Sequence, residues 1–163
     1  MNLKSLLIIL FSIFTFLSCE EEEQHDVFTK VPIEKVFDPI ITDMVSSSPI
    51  EIPNGLSYNY KIINSKNELS NYIPLDIIEN PTSYDNIDYN IYSLISLKIR
   101  TFYKPNKIEY KIYKDVNGNI SIVQQLYVTN ELNTKGYYTM SNIVTSKIDE
   151  KSTISLSQSF YFE

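Results

Sequence analysis

The sequence predicts a mainly β fold: an antiparallel meander that forms a small sandwich or open barrel, with one short capped helix near its start. Three observations support this prediction. Stretches that alternate polar with apolar residues, rich in aromatic and β-branched types, recur through residues 57–162. Turn signals separate them, the strongest being Asn117-Gly118-Asn119. A single S-x-x-E motif, from Ser65 to Glu68, indicates the start of the helix.

The chain begins with a segment typical of secretion signals. Lys4 supplies a positive charge, and residues 6–17 form an apolar run broken only by Ser12 and Thr15. A helix needs roughly 20 apolar residues to cross the hydrocarbon layer of a membrane, so this run is too short to span it. We therefore predict that residues 1–18 are a signal peptide.

The run ends in Phe16-Leu17-Ser18-Cys19, which resembles the lipobox of bacterial lipoproteins. The resemblance implies that Cys19 becomes the N-terminal residue and carries long acyl chains such as palmitate. Each buried methylene contributes about 0.8 kcal/mol, so two or three chains anchor the protein stably. The alternatives are a plain secreted protein and a core cysteine. Cys19 is the only cysteine and has no disulfide partner, which favours lipidation.

An acidic run follows at once, formed by Glu20, Glu21, Glu22 and Glu23. It resembles the surface-export signal of Bacteroidota lipoproteins. That resemblance implies a lipid-anchored outer-membrane protein exposed at the cell surface. The alternative is a solvated acidic tether on a domain that faces the periplasm, because like charges repel and nothing apolar is available to bury.

The remaining charge balance excludes nucleic acid as an expected partner. The 14 basic and 20 acidic residues fall to 13 and 15 once Lys4 and the five acids of residues 20–26 are set aside. A near-neutral domain lacks the basic footprint that nucleic-acid binding needs. The one histidine, His25, lies in the acidic tether, where no rigid site can form around it. We therefore expect no catalytic histidine, no multi-histidine metal centre and no cofactor.

Residues 19–55 are predicted to be the lipidated cysteine, the acidic tether and a Pro-rich linker, and residues 56–163 a single β-rich domain. The linker prediction depends on four prolines, Pro32, Pro39, Pro49 and Pro53, which interrupt helices and sheet ladders. It allows one short strand or turn near residues 31–41.

Within the domain, residues 57–63 form the first predicted strand. The helix then begins after Ser65, buries Leu69, Tyr72 and Ile73 on one face, and ends at Pro74. Residues 74–90 are a predicted loop. Further strands are predicted at residues 91–102, 108–116, 120–129, 137–147 and 153–162, joined by turns at residues 104–106, 117–119, 133–136 and 149–151. No internal repeat is apparent.

The hairpin at residues 108–129 is predicted in detail. Val116 and Ile120 share the buried face if the loop has three residues, with Gly118 or Asn119 left-handed. This register pairs Ile108 with Val128 and Tyr110 with Leu126, and it turns Gln124 inward opposite Ile112. The oxygen-rich stretch 115–119 looks like part of a calcium loop, but it lacks the later bidentate glutamate, so a hairpin turn is the preferred interpretation.

Two residue types offer candidate sites. Loop carboxylates at Asp76, Glu79, Asp85 and Asp88 suggest paired acids for glycoside hydrolysis. The 13 tyrosines suit recognition of a protein or an envelope glycan. Those on polar sides of strands or in loops form the candidate binding surface: Tyr84, Tyr113, Tyr127 and Tyr137. Ordinary strand packing is the alternative for all four.

The order of features is also similar to that of small Bacteroidota lipoproteins and, more distantly, to the C-terminal domain of protease complex inhibitor-like proteins. The similarity spans residues 58–128. It depends on Ile63-Asn64-Ser65-Lys66-Asn67-Glu68-Leu69, then Ile87-Asp88-Tyr89, then Tyr92-Ser93-Leu94-Ile95. It implies a protease inhibitor or regulator of the cell envelope and assigns no functional residue.

The leading functional prediction is therefore a lipid-anchored binding or assembly module without catalytic activity. It would be held in the membrane by Cys19 and bind an unidentified protein or envelope glycan. A protease inhibitor is the first alternative, and a glycoside-processing enzyme that uses the loop carboxylates is the second.

Overall fold

A computed structural model describes residues 28–43, 58–73 and 81–163. Within these residues the protein is mainly β, with one open sheet of seven strands and a single α-helix, which confirms the predicted fold class. No helix in the described part of the chain is long and apolar enough to cross a membrane. In chain order the elements are β1 (Thr29–Val31), β2 (Ile33–Val36), β3 (Ile40–Asp43), β4 (Tyr58–Ile63), α1 (Lys66–Tyr72), a 3-10 helix (Pro81–Tyr84), β5 (Tyr92–Lys114), β6 (Ile120–Ser146) and β7 (Ile154–Phe162).

One long hairpin, made of β5 and β6, organises the sheet. Its base, the proximal half, pairs residues 92–101 with 137–146, and its tip, the distal half, pairs residues 103–114 with 120–132. The turns predicted at residues 104–106 and 133–136 are wrong, because both strands run through them. The chain bends there instead: the pairing register shifts between Thr101 and Lys107, around Pro105, and Gly136 adopts a positive φ of 89°.

The strand neighbours therefore differ from those of a simple meander. In the proximal half, β4 pairs with β5, while β2 and β3 pair with β6. In the distal half, β1 pairs with β5 and β7 pairs with β6. All these pairings are antiparallel except that of β7, which is parallel.

The linker prediction is wrong for residues 29–43, which form three strands of the sheet. Pro32 and Pro39 fall between these strands rather than inside them. They therefore remove no ladder hydrogen bond, and proline density alone was a misleading signal. Cys19, the acidic run, Pro49 and Pro53 lie outside the described residues.

The two halves of the hairpin pack face to face around an isoleucine-rich core. Ile62, Ile95 and Ile143 line up across the proximal half, and Val31, Ile112 and Ile122 line up across the distal half. Leu97 and Ile99 meet Leu126 and Val128 in a neighbouring cluster. A third cluster covers the other face of the proximal half, where α1 and the 3-10 helix bury the following residues: Phe37, Ile63, Leu69, Ile73, Tyr84, Leu94, Met140 and Val144.

The predicted capping box of α1 is present. The Ser65 side chain accepts a hydrogen bond from the Glu68 amide at 3.2 Å. The Glu68 carboxylate reaches back and accepts from the amide of Asn64, one residue before the cap, at 2.7 Å. The first bond satisfies an amide that the first turn leaves without a helical partner, and the second satisfies an amide just outside the helix. Leu69 is then directed into the core.

The hairpin loop differs from the prediction. Lys114 and Ile120 form the last pair, so the loop has five residues, and Val116 is 71% exposed rather than buried. The Asp115 carboxylate causes the extension, because it accepts from the amides of Asn117 (2.9 Å) and Asn119 (2.8 Å). The Asn119 side-chain amide also donates to this carboxylate, at 2.9 Å. This bond chiefly, and the backbone bonds after it, lower the pKa of Asp115. Gly118 has the predicted positive φ, at 87°.

The longer loop shifts the register by two residues. Ile108 pairs with Leu126, and Tyr110 pairs with Gln124. Because the shift is even, each side chain that is still paired stays on its predicted face. Gln124 accordingly points inward and is fully buried, as predicted.

Two neighbouring strand segments also have similar sequences. Residues 120–128 read ISIVQQLYV, and β7 reads ISLSQSFYF. The two stretches lie side by side, parallel and in register. Identical residues therefore meet in four pairs: Ile120 with Ile154, Ser121 with Ser155, Gln124 with Gln158, and Tyr127 with Tyr161.

Candidate functional site

The outward-facing side of the distal half is the best candidate site among the described residues. Side chains alternate across a strand, so the residues between the buried ones point to solvent. We call this surface the outer tyrosine face. It comprises Tyr113 and Tyr127 from the hairpin, Tyr161 from β7, and their polar neighbours Lys107, Glu109 and Gln125.

One row of this face crosses three strands. Lys107 lies opposite Tyr127, which lies opposite Tyr161. The Lys107 ammonium is 5.0 Å from the centroid of the Tyr127 ring. The rings of Tyr127 and Tyr161 stack at 5.2 Å between centroids, with 21° between their planes. Contact between neighbouring strands thus orders the row before any partner binds.

Hydrogen bonds tie the row to its neighbours. Lys107 pairs with Glu109 at 2.6 Å, and this contact raises the pKa of Lys107 and lowers that of Glu109. The Tyr127 hydroxyl donates to the same carboxylate at 3.3 Å. Desolvation, followed by the charge of Glu109, raises the pKa of Tyr127. The Gln125 amide donates to the Tyr161 hydroxyl at 3.0 Å.

A shallow depression lies at the end of this face nearest the hairpin loop. Phe28, Tyr113 and Ser121 line a volume of about 260 Å³. Phe28 is 51% exposed. The outer tyrosine face therefore combines aromatic surface with hydroxyl, amide, ammonium and carboxylate groups, the mixture found at recognition surfaces.

Two of the four predicted tyrosines lie on this face, at opposite ends of it, and two lie elsewhere. Tyr113 and Tyr127 share the outer tyrosine face. Tyr137 lies on the proximal half, opposite Thr101 and Asp43. Tyr84 is buried and therefore closed to an external partner.

The surroundings of Tyr84 explain its burial. Its ring stacks on Phe37 at 3.9 Å, with 9° between the planes. The Asn142 side chain donates to its hydroxyl at 2.9 Å. Desolvation raises the pKa of Tyr84 to about 12. Tyr161 was not among the predicted residues. Residues 120–128 and β7 have similar sequences in which Tyr127 and Tyr161 occupy equivalent positions, and this similarity is the sequence signal for Tyr161.

The loop carboxylates in the described residues have structural contacts. Asp85 forms an ion pair with Lys66 at 2.6 Å. Asp88 accepts from the backbone and side chain of Asn90, at 3.0 and 2.9 Å. Asp76 and Glu79 lie outside the described residues. Among residues 28–43, 58–73 and 81–163, no three acidic, histidine or cysteine side chains converge as a metal site.

The predicted lipidation site and the predicted export signal lie outside the described residues. They are Cys19 and the run Glu20, Glu21, Glu22 and Glu23. Comparison of the chain with protein-family models, with curated proteins and with solved structures returned no match.

Proposed function

We propose that the protein is a lipid-anchored module of the bacterial cell envelope that binds a protein or glycan partner without catalysing a reaction. The signal-like N-terminus, Cys19 and the acidic run support the anchored location. The outer tyrosine face supports the binding role, and it is the observation on which the proposal chiefly depends. In this reading the anchor lies in the outer membrane, and the acidic run directs the domain to the cell surface.

The contacts of the outer tyrosine face suit recognition of a large, polar partner. The face is broad, and its groups lie on rigid strands instead of flexible loops. Tyr127 and Tyr161 are held by stacking and by Glu109 and Gln125, so little side-chain entropy is lost on binding. Their edges and hydroxyls lie beside donors and acceptors that match amide groups or sugar hydroxyls.

Binding is tested with the full chain in mild detergent, against envelope protein and envelope glycan fractions. We expect Tyr127→Ser and Tyr161→Ser each to weaken binding at least about tenfold, as central aromatic residues of interfaces do. Val116→Ser, at an exposed position of the hairpin loop, is the matched control and leaves binding unchanged. Equal binding by all variants would refute the role of this face, and turnover of a glycan or peptide by the wild type would refute the non-catalytic assignment.

The location is tested separately by protease treatment of intact cells. Cells expressing the wild type lose the domain, whereas cells expressing the Glu20–Glu23→Ala variant retain it. Protection of both proteins would contradict surface exposure and indicate a periplasmic domain. Release of the wild type from membranes as readily as a Cys19→Ser variant would contradict lipid anchoring.

A further inference from the structure

The exposed edge of β7 differs from the other outer strands of the sheet. Natural proteins protect sheet edges with charges, prolines or short strands, because an open edge pairs readily with another chain. The other outer strands have three to six residues and contain the following charged residues: Lys30, Glu34, Lys35, Asp43 and Lys61. Strand β7 has nine residues and contains no charge, no proline and no glycine.

The free edge of β7 carries the backbone groups of its even-numbered residues. The Thr153 carbonyl accepts from Ile120, and the Glu163 amide donates to Val128, so odd-numbered residues face β6. The alternation of a parallel ladder then turns the amides and carbonyls of Leu156, Gln158 and Phe160 away from β6. Within the described residues, β7 pairs with no strand other than β6.

Apolar surface accompanies these groups. Phe160, Tyr161 and Phe162 are 41%, 43% and 54% exposed. Phe160 and Phe162 lie on the side of β7 that faces the core, beside Leu126 and Val128. A strand added at this edge would cover them and satisfy the free backbone groups at the same time.

We infer that β7 is a self-association edge, at which β7 of a second copy of this chain adds antiparallel about a twofold axis through Gln158. This inference does not depend on the proposed binding function. The partner is a second copy of this chain because the sequence of β7 is self-complementary about that axis.

The self-complementarity follows from pairing residues whose numbers are symmetric about Gln158. On the core side, Leu156 faces Phe160 of the second copy, and Gln158 faces its own counterpart. On the outer side, Ser157 faces Ser159. Apolar residues therefore meet apolar residues, and polar residues meet polar ones, along the whole central stretch. The axis also makes the interface closed, so it produces a dimer rather than a fibre.

Charge favours the same location. The acidic excess of the chain lies in residues 20–26, whereas residues 27–163 carry 13 basic and 15 acidic residues, so two copies of the domain repel each other only weakly. The uncharged edge of β7 avoids like charges at the point of contact. Residues 120–128, whose sequence is similar to that of β7, already pair with its other edge. There the Gln158 side chain donates to the Gln124 side chain at 2.8 Å, and the hydroxyl oxygens of Ser121 and Ser155 are 3.0 Å apart. Glutamine and serine side chains of β7 therefore already contact side chains of the same type on the neighbouring strand.

The test uses charge substitutions at two exposed serines on the outer side of the edge. Ser157→Lys with Ser159→Lys places two lysines opposite two lysines in the dimer, and Ser157→Glu with Ser159→Glu does the same with glutamates. Sedimentation of the full chain in mild detergent is expected to give a wild-type dimer and two monomeric variants. An equimolar mixture of the variants forms a dimer again, because each lysine then faces a glutamate.

A matched control places lysine at Val123, on the neighbouring strand of the same face but away from the edge. Val123→Lys remains dimeric. A monomeric wild type, dimeric lysine and glutamate variants, or a mixture that stays monomeric would each overturn the inference. Open-ended assemblies of the wild type would also overturn it, because the proposed interface is closed.

The register is tested by disulfide formation in a Cys19→Ser background. Two differently tagged chains, one with Ser157→Cys and one with Ser159→Cys, cross-link when mixed, since these positions are directly opposite. Ser155→Cys mixed with Ser159→Cys does not cross-link, because diagonal positions lie too far apart for a disulfide. Equal cross-linking of both mixtures would contradict the axis through Gln158.

Discussion

The proximal and distal halves of the hairpin are built from the same two strands, yet they differ in burial. In the proximal half, every residue of β5 from Ser93 to Ile99 is buried. In the distal half, buried and half-exposed residues alternate along β6 from Ile120 to Val128. The reason is that α1 and the 3-10 helix cover the second face of the proximal half, while the second face of the distal half meets solvent. The hydrophobic period of a strand thus reports how many layers cover it.

The largest expected effect tests the shared core between the halves. Ile95 is fully buried between them, so Ile95→Ala removes packed methylenes and leaves a cavity. We expect it to lower the free energy of unfolding by about 2–5 kcal/mol. Val123→Ala, on the outer face of the distal half, is expected to change it by no more than about 0.5 kcal/mol. Urea unfolding of both variants measures the difference, and similar losses would contradict the contrast between the shared core and the solvent-facing side of the distal half.

A second prediction concerns the polar contact that joins the halves. Gln124 accepts from Gln158 at 2.8 Å and donates to the Tyr110 hydroxyl at 3.4 Å, and that hydroxyl donates to Ser141 of the proximal half at 2.5 Å. Burial raises the pKa of Tyr110. Gln124→Ala leaves buried groups without partners and is expected to cost about 1–3 kcal/mol.

The matched variant removes both amides. In Gln124→Leu with Gln158→Leu, both amides are replaced by apolar groups, so neither is left buried without a partner. We therefore expect the double variant to be closer in stability to the wild type than Gln124→Ala is. Urea unfolding of the single and double variants measures this. A double variant less stable than Gln124→Ala would show that the hydrogen bonds of this network stabilise the fold more than apolar packing at the same positions does.

A third prediction tests the cover of the proximal half. Ser65→Ala removes the cap of α1, and we expect it to lower the free energy of unfolding by about 1 kcal/mol. Hydrogen exchange should rise in the amides of α1 and leave the hairpin loop unaffected. Ser70→Ala, at an exposed serine that donates to Asn67 within the same helix, serves as the control. Equal effects of the two substitutions would argue against the capping box.

The smallest effect at neutral pH involves Tyr84, which lies in the 3-10 helix that covers the same half. Its pKa is raised from 10.0 to about 12, so the folded state keeps the phenol protonated where the unfolded state ionises. Its contribution to stability is complete below pH 10 and is lost as the pH rises towards about 12. Unfolding at a series of alkaline pH values should show this decline, and Tyr84→Phe should make it shallower. An unchanged slope in the variant would assign the decline to other groups.

Short-range features of the fold were predictable from the sequence. The capping box at Ser65 and Glu68, the strand character of residues 58–63 and the hairpin reversal near Gly118 each depend on a few neighbouring residues. The inward position of Gln124 was also predicted correctly, despite a register error of two residues, because side-chain facing depends only on whether a shift is odd or even. On the candidate site, the same alternation identified Tyr113 and Tyr127 as outward-facing.

The sequence by itself therefore determined the β class, the helix start and which face each distal strand residue occupies. The tertiary structure decided which strands pair, that Tyr84 is buried, and that the segment before residue 44 joins the sheet. Strand β3 finds its partners about a hundred residues away, at residues 137–140, and β7 pairs in parallel with a segment that precedes it by 34 residues. Periodicity records which face of a strand is apolar but not which other strand will cover its edge, because that choice depends on contacts summed over the whole folded chain.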